Sequence, residues 1–350
     1  ALPNGAGAPA RPGVGLLGCG VVGAAVARRL LGGHPGLLRA IAVRDPQKAR
    51  DVEWDAWNGD PFAIVDDPNV TIVVECIGGV RLARELVLRA IAHGKDVVTA
   101  NKELIAQDGP WLRAFAERTG ATLHFEAAVG GAIPILRAME TSLADESIAE
   151  VGGVLNGTTN FVLSKMEAGA TYPAALAEAQ TRGFAEADPR NDVEGFDTAH
   201  KLTILASLAF RRPVAFDGVA RRGITAITPA DVAVAEERGW RIKLVGLARR
   251  TAGGIEAGVS PMYVARSHAF ARPNDAENVV RVVGDDSGPL EFFGIGAGGA
   301  ASASSVVGDI VAALRARENG VTVRRGAVGD PIVASPLRIA ETVRGLPLLI

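Results

Sequence analysis

A short apolar run, Val14 to Leu17, leads directly into Gly18-Cys19-Gly20-Val21-Val22-Gly23 and then into the helix-forming stretch AAVARRLL. Strand, glycine turn and helix in that order constrain the fold more than any other feature of the chain. In a βαβ unit opened by GxGxxG, the first glycine permits the tight turn, the second lets the backbone approach a pyrophosphate, and the third lets helix and strand pack closely. The helix start adds unpaired N–H groups and the positive end of the helix dipole. In a chain with 42 glycines a bare GxGxxG is a weak signal. Its placement makes residues 18–23 a dinucleotide-binding turn.

The next strand, Leu38 to Val43, ends at Arg44 rather than at the acid that would hydrogen-bond the ribose of NAD. With Lys48 and Arg50 at the start of what reads as the next helical segment, Arg44 suits a 2′-phosphate and favours NADP(H) over NAD(H). A solvated basic helix start is the alternative, and Asp45 keeps NAD(H) open. Strand Val70 to Cys76 closes on Ile77-Gly78-Gly79, helix Arg81 to His93 returns, and strand Asp96 to Ala100 closes on Asn101-Lys102. Helix Pro110 to Thr119 and strand Ala121 to Ala127 follow. In an open parallel sheet ligands lie beyond the carboxyl ends of the strands. The turns at Gly18, Arg44, Ile77 and Lys102 should therefore converge on one cofactor crevice, with Cys76, Gly78 and Ala100 among its contacts. A helix-start lysine is the plain reading of Lys102, but a positive charge there opposes the helix dipole.

After a connecting helix from Ile135 to Ser142 the pattern changes. Strand Ile148 to Leu155 precedes Asn156-Gly157-Thr158-Thr159-Asn160, a turn of amides and hydroxyls entering a helix at Phe161 to Ala168. It reads as a carboxylate cradle or as a simple N-cap. Between helices at Tyr172 to Arg182 and Gly195 to Phe210 lies a loop carrying Glu186, Asp188, Asp192 and Glu194, followed by Asp197 and Lys201 in the second helix. Asp197 and Lys201 have i,i+4 spacing, which on a helix surface is worth only about 0.2–0.5 kcal/mol. Ile204 and Leu208 continue the same stripe, however, and a lysine beside both a carboxylate and apolar packing is suited to proton transfer. Strands at Trp240 to Arg249, Ile255 to Val264, Asn278 to Val283 and Leu290 to Phe293 lead to a second glycine turn, Gly294 to Gly299, and a small-residue helix, Ala300 to Leu314. Small residues there permit close approach to a ligand or to another helix.

These elements predict an α/β chain: a Rossmann-type doubly wound parallel sheet plus an α+β substrate and dimerisation domain. The expected division is a tail over 1–12, a dinucleotide-binding domain over 13–134, a substrate domain over 135–297, and a helix returning to the nucleotide domain with a C-terminal extension over 298–350. Residues 319–350 suggest no role beyond an amphipathic stretch near Leu337 to Val343. The 350 residues carry 37 basic and 39 acidic side chains, a net charge of −2, which gives no footprint for nucleic acid or an anionic membrane. No apolar run reaches the roughly 18 residues of a membrane span. The 2 cysteines, Cys19 and Cys76, have no metal spacing and point to a reduced, cytoplasmic setting.

Taken together, GCGVVG (18–23), TANKELIA (99–106), FEAAVGGAIPI (125–135), GVLNGTTNFVL (153–163), GFAEADPRNDVEGFDTAHK (183–201) and GIGAGG (294–299) resemble homoserine dehydrogenase in its short form, without a fused kinase or amino-acid-sensing domain. The resemblance runs from about Val14 to Leu314. It implies reversible reduction of L-aspartate 4-semialdehyde to L-homoserine on the way to threonine, methionine and isoleucine, in a homodimer or higher homo-oligomer. By position it makes Lys201 the proton-transferring lysine, Asp197 a substrate contact and Lys102 the second catalytic lysine, bridging cofactor and substrate and the rival of Lys201 as proton donor. Glu186 would hold the substrate amino group, Gly157 and Thr158 its carboxylate, and Asp192 would support the pocket. Phe184 lies in the same pocket, where some relatives have tyrosine, and Gly298 would approach the cofactor. Main-chain oxygens of Glu126, Val129, Gly131 and Ile133 would bind sodium or potassium. A phosphorylating aldehyde dehydrogenase would share the fold but needs a thiolate nucleophile in its catalytic half, where this chain has no cysteine.

Overall fold

The computed structural model describes residues 12–319 and 329–349. Apart from its last residue, the expected tail lies outside them. The chain divides into two compact units: one drawn from Ala1–Leu104, Pro110–Ala127 and Gly298–Ala327, the other from Ile105–Gly109, Ala128–Ala297 and Val328–Ile350.

In the first unit the elements run β1 (Val14–Leu17), α1 (Val21–Gly33), β2 (Leu38–Ala42), β3 (Trp57–Asn58), α2 (Pro61–Asp66), β4 (Ile72–Glu75), α3 (Arg81–Ala92), β5 (Asp96–Thr99), α4 (Lys102–Thr119, apart from Ile105–Gly109) and β6 (Leu123–His124). The sheet order is β3-β2-β1-β4-β5-β6 with every pair parallel. β1 and β4 are buried along their whole length, as strands covered by helices on both faces must be. The order reverses at β1/β4, which is where such a sheet opens a crevice for a ligand. The helix Gly299–Glu318 joins this core through Ala303, Val306, Val307, Ile310 and Ala313, packed with Val26, Ala27 and Leu30 of α1. Its small residues thus serve intramolecular packing. Of the two readings, approach to a ligand or to another helix, the second accounts for them.

Two expectations need correction. Lys48 and Arg50 do not begin a helix; residues 43–56 form a loop, in which Arg50 donates to the carbonyls of Lys48 (2.7 Å) and Asp45 (2.8 Å) and stacks over Trp57. Nor does a helix begin at Pro110. α4 starts at Lys102, where Asn101 Oδ1 caps Leu104 N at 3.1 Å, and continues through the proline. The cap and the buried Leu104, Ile105 and Leu112 outweigh the one backbone bond that Pro110 removes.

In the second unit the elements are α5 (Ile135–Glu140), β7 (Ile148–Val154), α6 (Gly157–Glu167), α7 (Tyr172–Thr181), α8 (Arg190–Val193), α9 (Phe196–Ala209), β8 (Ala220–Arg221), α10 (Pro229–Glu237), β9 (Trp240–Thr251), β10 (Gly254–Ala265), β11 (Glu277–Gly284), β12 (Gly288–Ile295), β13 (Ser335–Pro336), β14 (Thr342–Val343) and β15 (Leu346–Leu349). They form a mixed sheet in the order β12-β11-β7-β9-β10-β15-β14, with β8 and β13 also paired to β10. α10 was not anticipated, although Thr228-Pro229-Ala230-Asp231 is a readable start signal: Thr228 and Asp231 form a reciprocal capping box and Pro229 takes the first helical turn. The C-terminal stretch acquires a place here. β15 extends the sheet beside β10, and Arg344 and Gly345 (φ +47° and +74°) make the two-residue turn that pairs it with β14. Among the described residues no helix is long and apolar enough to cross a membrane.

Candidate active site

The glycine turn has the geometry that a dinucleotide requires. Gly18 has φ +94°, and a Cβ on it would lie 2.6 Å from the Cys76 carbonyl oxygen; a Cβ on Gly23 would lie 2.1 Å from the Gly18 carbonyl oxygen. Strand end, turn and helix are closed onto one another at these two positions. Gly20, by contrast, faces open space and caps α1 without a side chain, leaving the helix N–H groups for an anion. Val21 and Val22 begin α1, with Val21 exposed.

A buried network that the sequence did not reveal orders the neighbouring turns. Glu75, fully buried at the end of β4, accepts from Ile77 N (2.7 Å), Gly78 N (3.2 Å) and Thr99 Oγ1 (2.6 Å). Thr99 Oγ1 in turn accepts from Asn101 N at 3.0 Å, and Asn101 Nδ2 donates to Gly79 O at 2.7 Å. The ends of β4 and β5 are thereby tied together, placing Ala100 and Lys102 immediately after this knot. Arg44 is exposed past β2, and Asp45 turns its Oδ1 to Gln47 N (3.0 Å). Gly298 has φ +113° and precedes the helix Gly299–Glu318. Burial raises the thiol pKa of both Cys19 and Cys76, and Glu75 adds to the effect on Cys76; neither is a poised thiolate.

In the second unit α9 is buried nearly all round, not along one stripe. Lys201 and Asp197 are only 8% and 3% exposed, so the pair is far from an ordinary surface salt bridge. Lys201 Nζ donates to Asp197 Oδ2 and to the Leu155 carbonyl, each at 2.7 Å. Asn156, just past β7, donates its Nδ2 to Asp197 Oδ2 (2.8 Å) and Asp192 Oδ1 (2.7 Å), while its Oδ1 caps Thr159 N at 2.8 Å. The structure thus joins Lys201, Asp197 and Asp192 through Asn156, a residue the sequence presented as part of a carboxylate cradle or as a cap. α6 begins at Gly157, four residues before the expected Phe161, because the Asn156 cap starts it. Gly157 and Thr158 are its first two residues, whose N–H groups have no acceptor within the helix. Thr158 Oγ1 donates to Phe184 O at 2.5 Å, and Phe184 stacks on Phe161 with ring centroids 4.7 Å apart.

The other acids of the loop separate from this cluster. Asp188 pairs with Arg190, whose hydrogen bonds hold its carboxyl at about 2. Glu194 is exposed. Glu186 is also exposed and its carboxylate makes no hydrogen bond or ion pair among the described residues. Of the positions expected to offer main-chain oxygens, Glu126 belongs to the first unit, where its N–H donates to Asp309 Oδ2 at 2.8 Å. Val129, Gly131 and Ile133 belong to the second, in a turn with left-handed Gly130 and Gly131.

Sequence and structure comparisons place the chain among known proteins. Family models for homoserine dehydrogenase and for the homoserine dehydrogenase NAD-binding domain match residues 134–311 and 18–126. The chain is 45% identical to homoserine dehydrogenase of Pseudomonas aeruginosa over 87% of its own length and 72% of that protein. With the enzyme of Bacillus subtilis it shares 39% identity over 88% of its length and 74% of the relative. A crystal structure of a homoserine dehydrogenase from Thiobacillus denitrificans superposes with TM-score 0.84 at 43% identity, covering 88% of this chain and 74% of that one. A hyperthermophilic archaeal homoserine dehydrogenase mutant in complex with NADPH gives TM-score 0.74 at 25% identity over 87% of this chain and 97% of that one. A parallel nucleotide sheet, a lysine–carboxylate centre in a separate mixed-sheet unit, and family models matching each half all lead to one assignment: the chain belongs to the homoserine dehydrogenase family, oxidoreductases acting on a CH–OH group.

Proposed function

We propose that the chain interconverts L-homoserine and L-aspartate 4-semialdehyde with NADP(H) in preference to NAD(H), and that Lys201 moves the proton. The observation that carries this reading is the buried Lys201 amine clamped between Asp197 and the Leu155 carbonyl. An ammonium has three N–H groups. Two are engaged, and the third is left for the oxyanion that develops on the aldehyde during reduction. In oxidation the neutral amine keeps its two N–H groups on the same acceptors, so its lone pair turns to the substrate hydroxyl. The nicotinamide, when bound, supplies or accepts the hydride.

The free N–H groups of Gly157 and Thr158 suit the substrate carboxylate, and Glu186 is the acceptor for its amino group, with Asp192 and Asp197 adding negative charge. Lys102 is proposed as the second lysine. The preference for NADP(H) is supported by exposed Arg44 and by the engagement of Asp45 within its own turn; the archaeal relative was solved with NADPH. A sodium or potassium ion at main-chain oxygens of Val129, Gly131 and Ile133 is part of the same proposal. Reduction of NADP and NAD with L-homoserine at alkaline pH, with and without each cation, tests it. Homoserine-dependent turnover, faster with NADP and lost in Lys201→Ala, is expected. A near-normal rate in that variant overturns the assignment of the proton to Lys201.

A further inference from the structure

The Leu155 carbonyl has a second donor. Asn278, on β11 and 1% exposed, donates its Nδ2 to Leu155 O at 3.0 Å, so the oxygen that receives Lys201 Nζ is shared between lysine and amide. The orientation of the amide follows from this: turned over, Asn278 would set its own oxygen against the carbonyl. As it stands, Oδ1 is buried with no hydrogen-bond partner among the described residues. A buried, unsatisfied acceptor is unfavourable, and an apolar residue of similar size would avoid it. Folding alone therefore gives no reason for an asparagine here; its single donated bond does.

The second glycine turn is shaped around the same side chain. A Cβ on Gly296 would fall 2.0 Å from Asn278 Nδ2 and 2.4 Å from its Oδ1. The amide packs directly against the bare Cα of Gly296. Gly296 is thus required by Asn278, quite apart from any approach of Gly298 to a cofactor.

We infer that Asn278 is a positioning residue for Lys201: through the Leu155 carbonyl it holds the acceptor that orients the lysine amine. Leu155 lies just past the end of β7 and one residue before the capping Asn156. With the carbonyl pinned, the two acceptors of Lys201 stay in place and the third direction of the amine is set. The inference rests on Lys201 as the proton-transfer group. Among the described residues, the charge bonded to Lys201 is Asp197 from its own helix, with Asp192 of α8 joined to it through Asn156; Leu155, just past β7, and Asn278 of β11 supply the neutral groups.

The test is steady-state homoserine oxidation by the full chain carrying Asn278→Leu, Asn278→Asp or Gly296→Ala, beside Lys201→Ala. Misplacing the amine should lower kcat roughly 10- to 100-fold while KM for homoserine and for NADP stays within about twofold in Asn278→Leu, because the variant touches no binding group. Because oxidation uses the neutral amine, kcat/KM should rise with pH; Asn278→Asp adds negative charge near the amine and should move that rise to higher pH, a displacement that a merely structural role would not produce. Gly296→Ala, whose added Cβ would collide with the amide, should reproduce the kcat loss and serves if Asn278→Leu does not fold. An unchanged kcat and pH profile in the folded variants, with Lys201→Ala inactive, would overturn this inference alone. Activity in Lys201→Ala would remove the reading beneath it.

Discussion

Asn156 donates its side-chain amide to Asp197, Nδ2 to Oδ2 at 2.8 Å, and the same nitrogen donates to Asp192 Oδ1 at 2.7 Å. One NH2 group thereby separates two carboxylates and fixes the oxygen that receives Lys201. Asn156→Asp conserves size and the helix cap, since aspartate also caps well. It replaces the two donors by a third carboxylate, and like charges so close disfavour ionisation. We expect kcat to fall by roughly 100-fold with little change in helix content by circular dichroism. Retained activity would show that the amide serves only as a cap.

Lys201 is the next case. Its replacement by alanine removes the proposed proton-transfer group and should reduce turnover roughly 10²- to 10⁴-fold. It also removes the buried Lys201–Asp197 ion pair, so the thermal midpoint should fall as well. Dissociation of NADP, measured by fluorescence, should be unchanged, because the glycine turn belongs to the other unit.

A second buried lysine makes stability depend on pH. Lys243 is fully buried in β9, donating to Asn160 Oδ1 (2.6 Å) and Pro273 O (2.7 Å), and burial lowers its pKa from 10.5 to about 7. Between these values the unfolded chain holds a proton that the native one lacks. The unfavourable contribution is therefore complete below pH 7 and is relieved as pH rises towards 10.5. Urea unfolding from pH 7 to 10 should show this gain, at most about 1.4 kcal/mol per pH unit, in the wild-type chain but not in Lys243→Met. Equal slopes in both would mean that Lys243 titrates normally.

Cofactor choice should turn on Arg44. A charge-assisted hydrogen bond to phosphate is worth about 1.5–3 kcal/mol, so Arg44→Ala should lower the ratio of kcat/KM for NADP over NAD by roughly ten- to a hundredfold. Arg50 is already committed to two loop carbonyls and the face of Trp57, and its replacement should matter less to the ratio. An unchanged ratio in Arg44→Ala would assign the 2′-phosphate elsewhere.

Much of the fold was readable because its signals are local. The turn at 18–23 declares itself through neighbouring glycines, β4 through a continuous apolar run, and the Asp197–Lys201 pair through a spacing of one helical turn. Local reading also produced the errors. Pro110 and the basic residues after Arg44 carry propensities that packing and capping overrode, and α9 read as a stripe because its sequence does not reveal how many sides are covered. The linkages that decide the chemistry are not local at all. Asn156 reaches Asp192 and Asp197 across 36 and 41 positions, Lys201 reaches Leu155 across 46, and Asn278 reaches the same carbonyl across 123. The sequence by itself determined which residues could transfer a proton and which turn could hold a dinucleotide, since those depend on side-chain chemistry and short spacing. Only the tertiary structure decided which carbonyl and which amides hold the lysine in place, because burying a polar group requires a partner and the partner comes from wherever the fold brings the chain back.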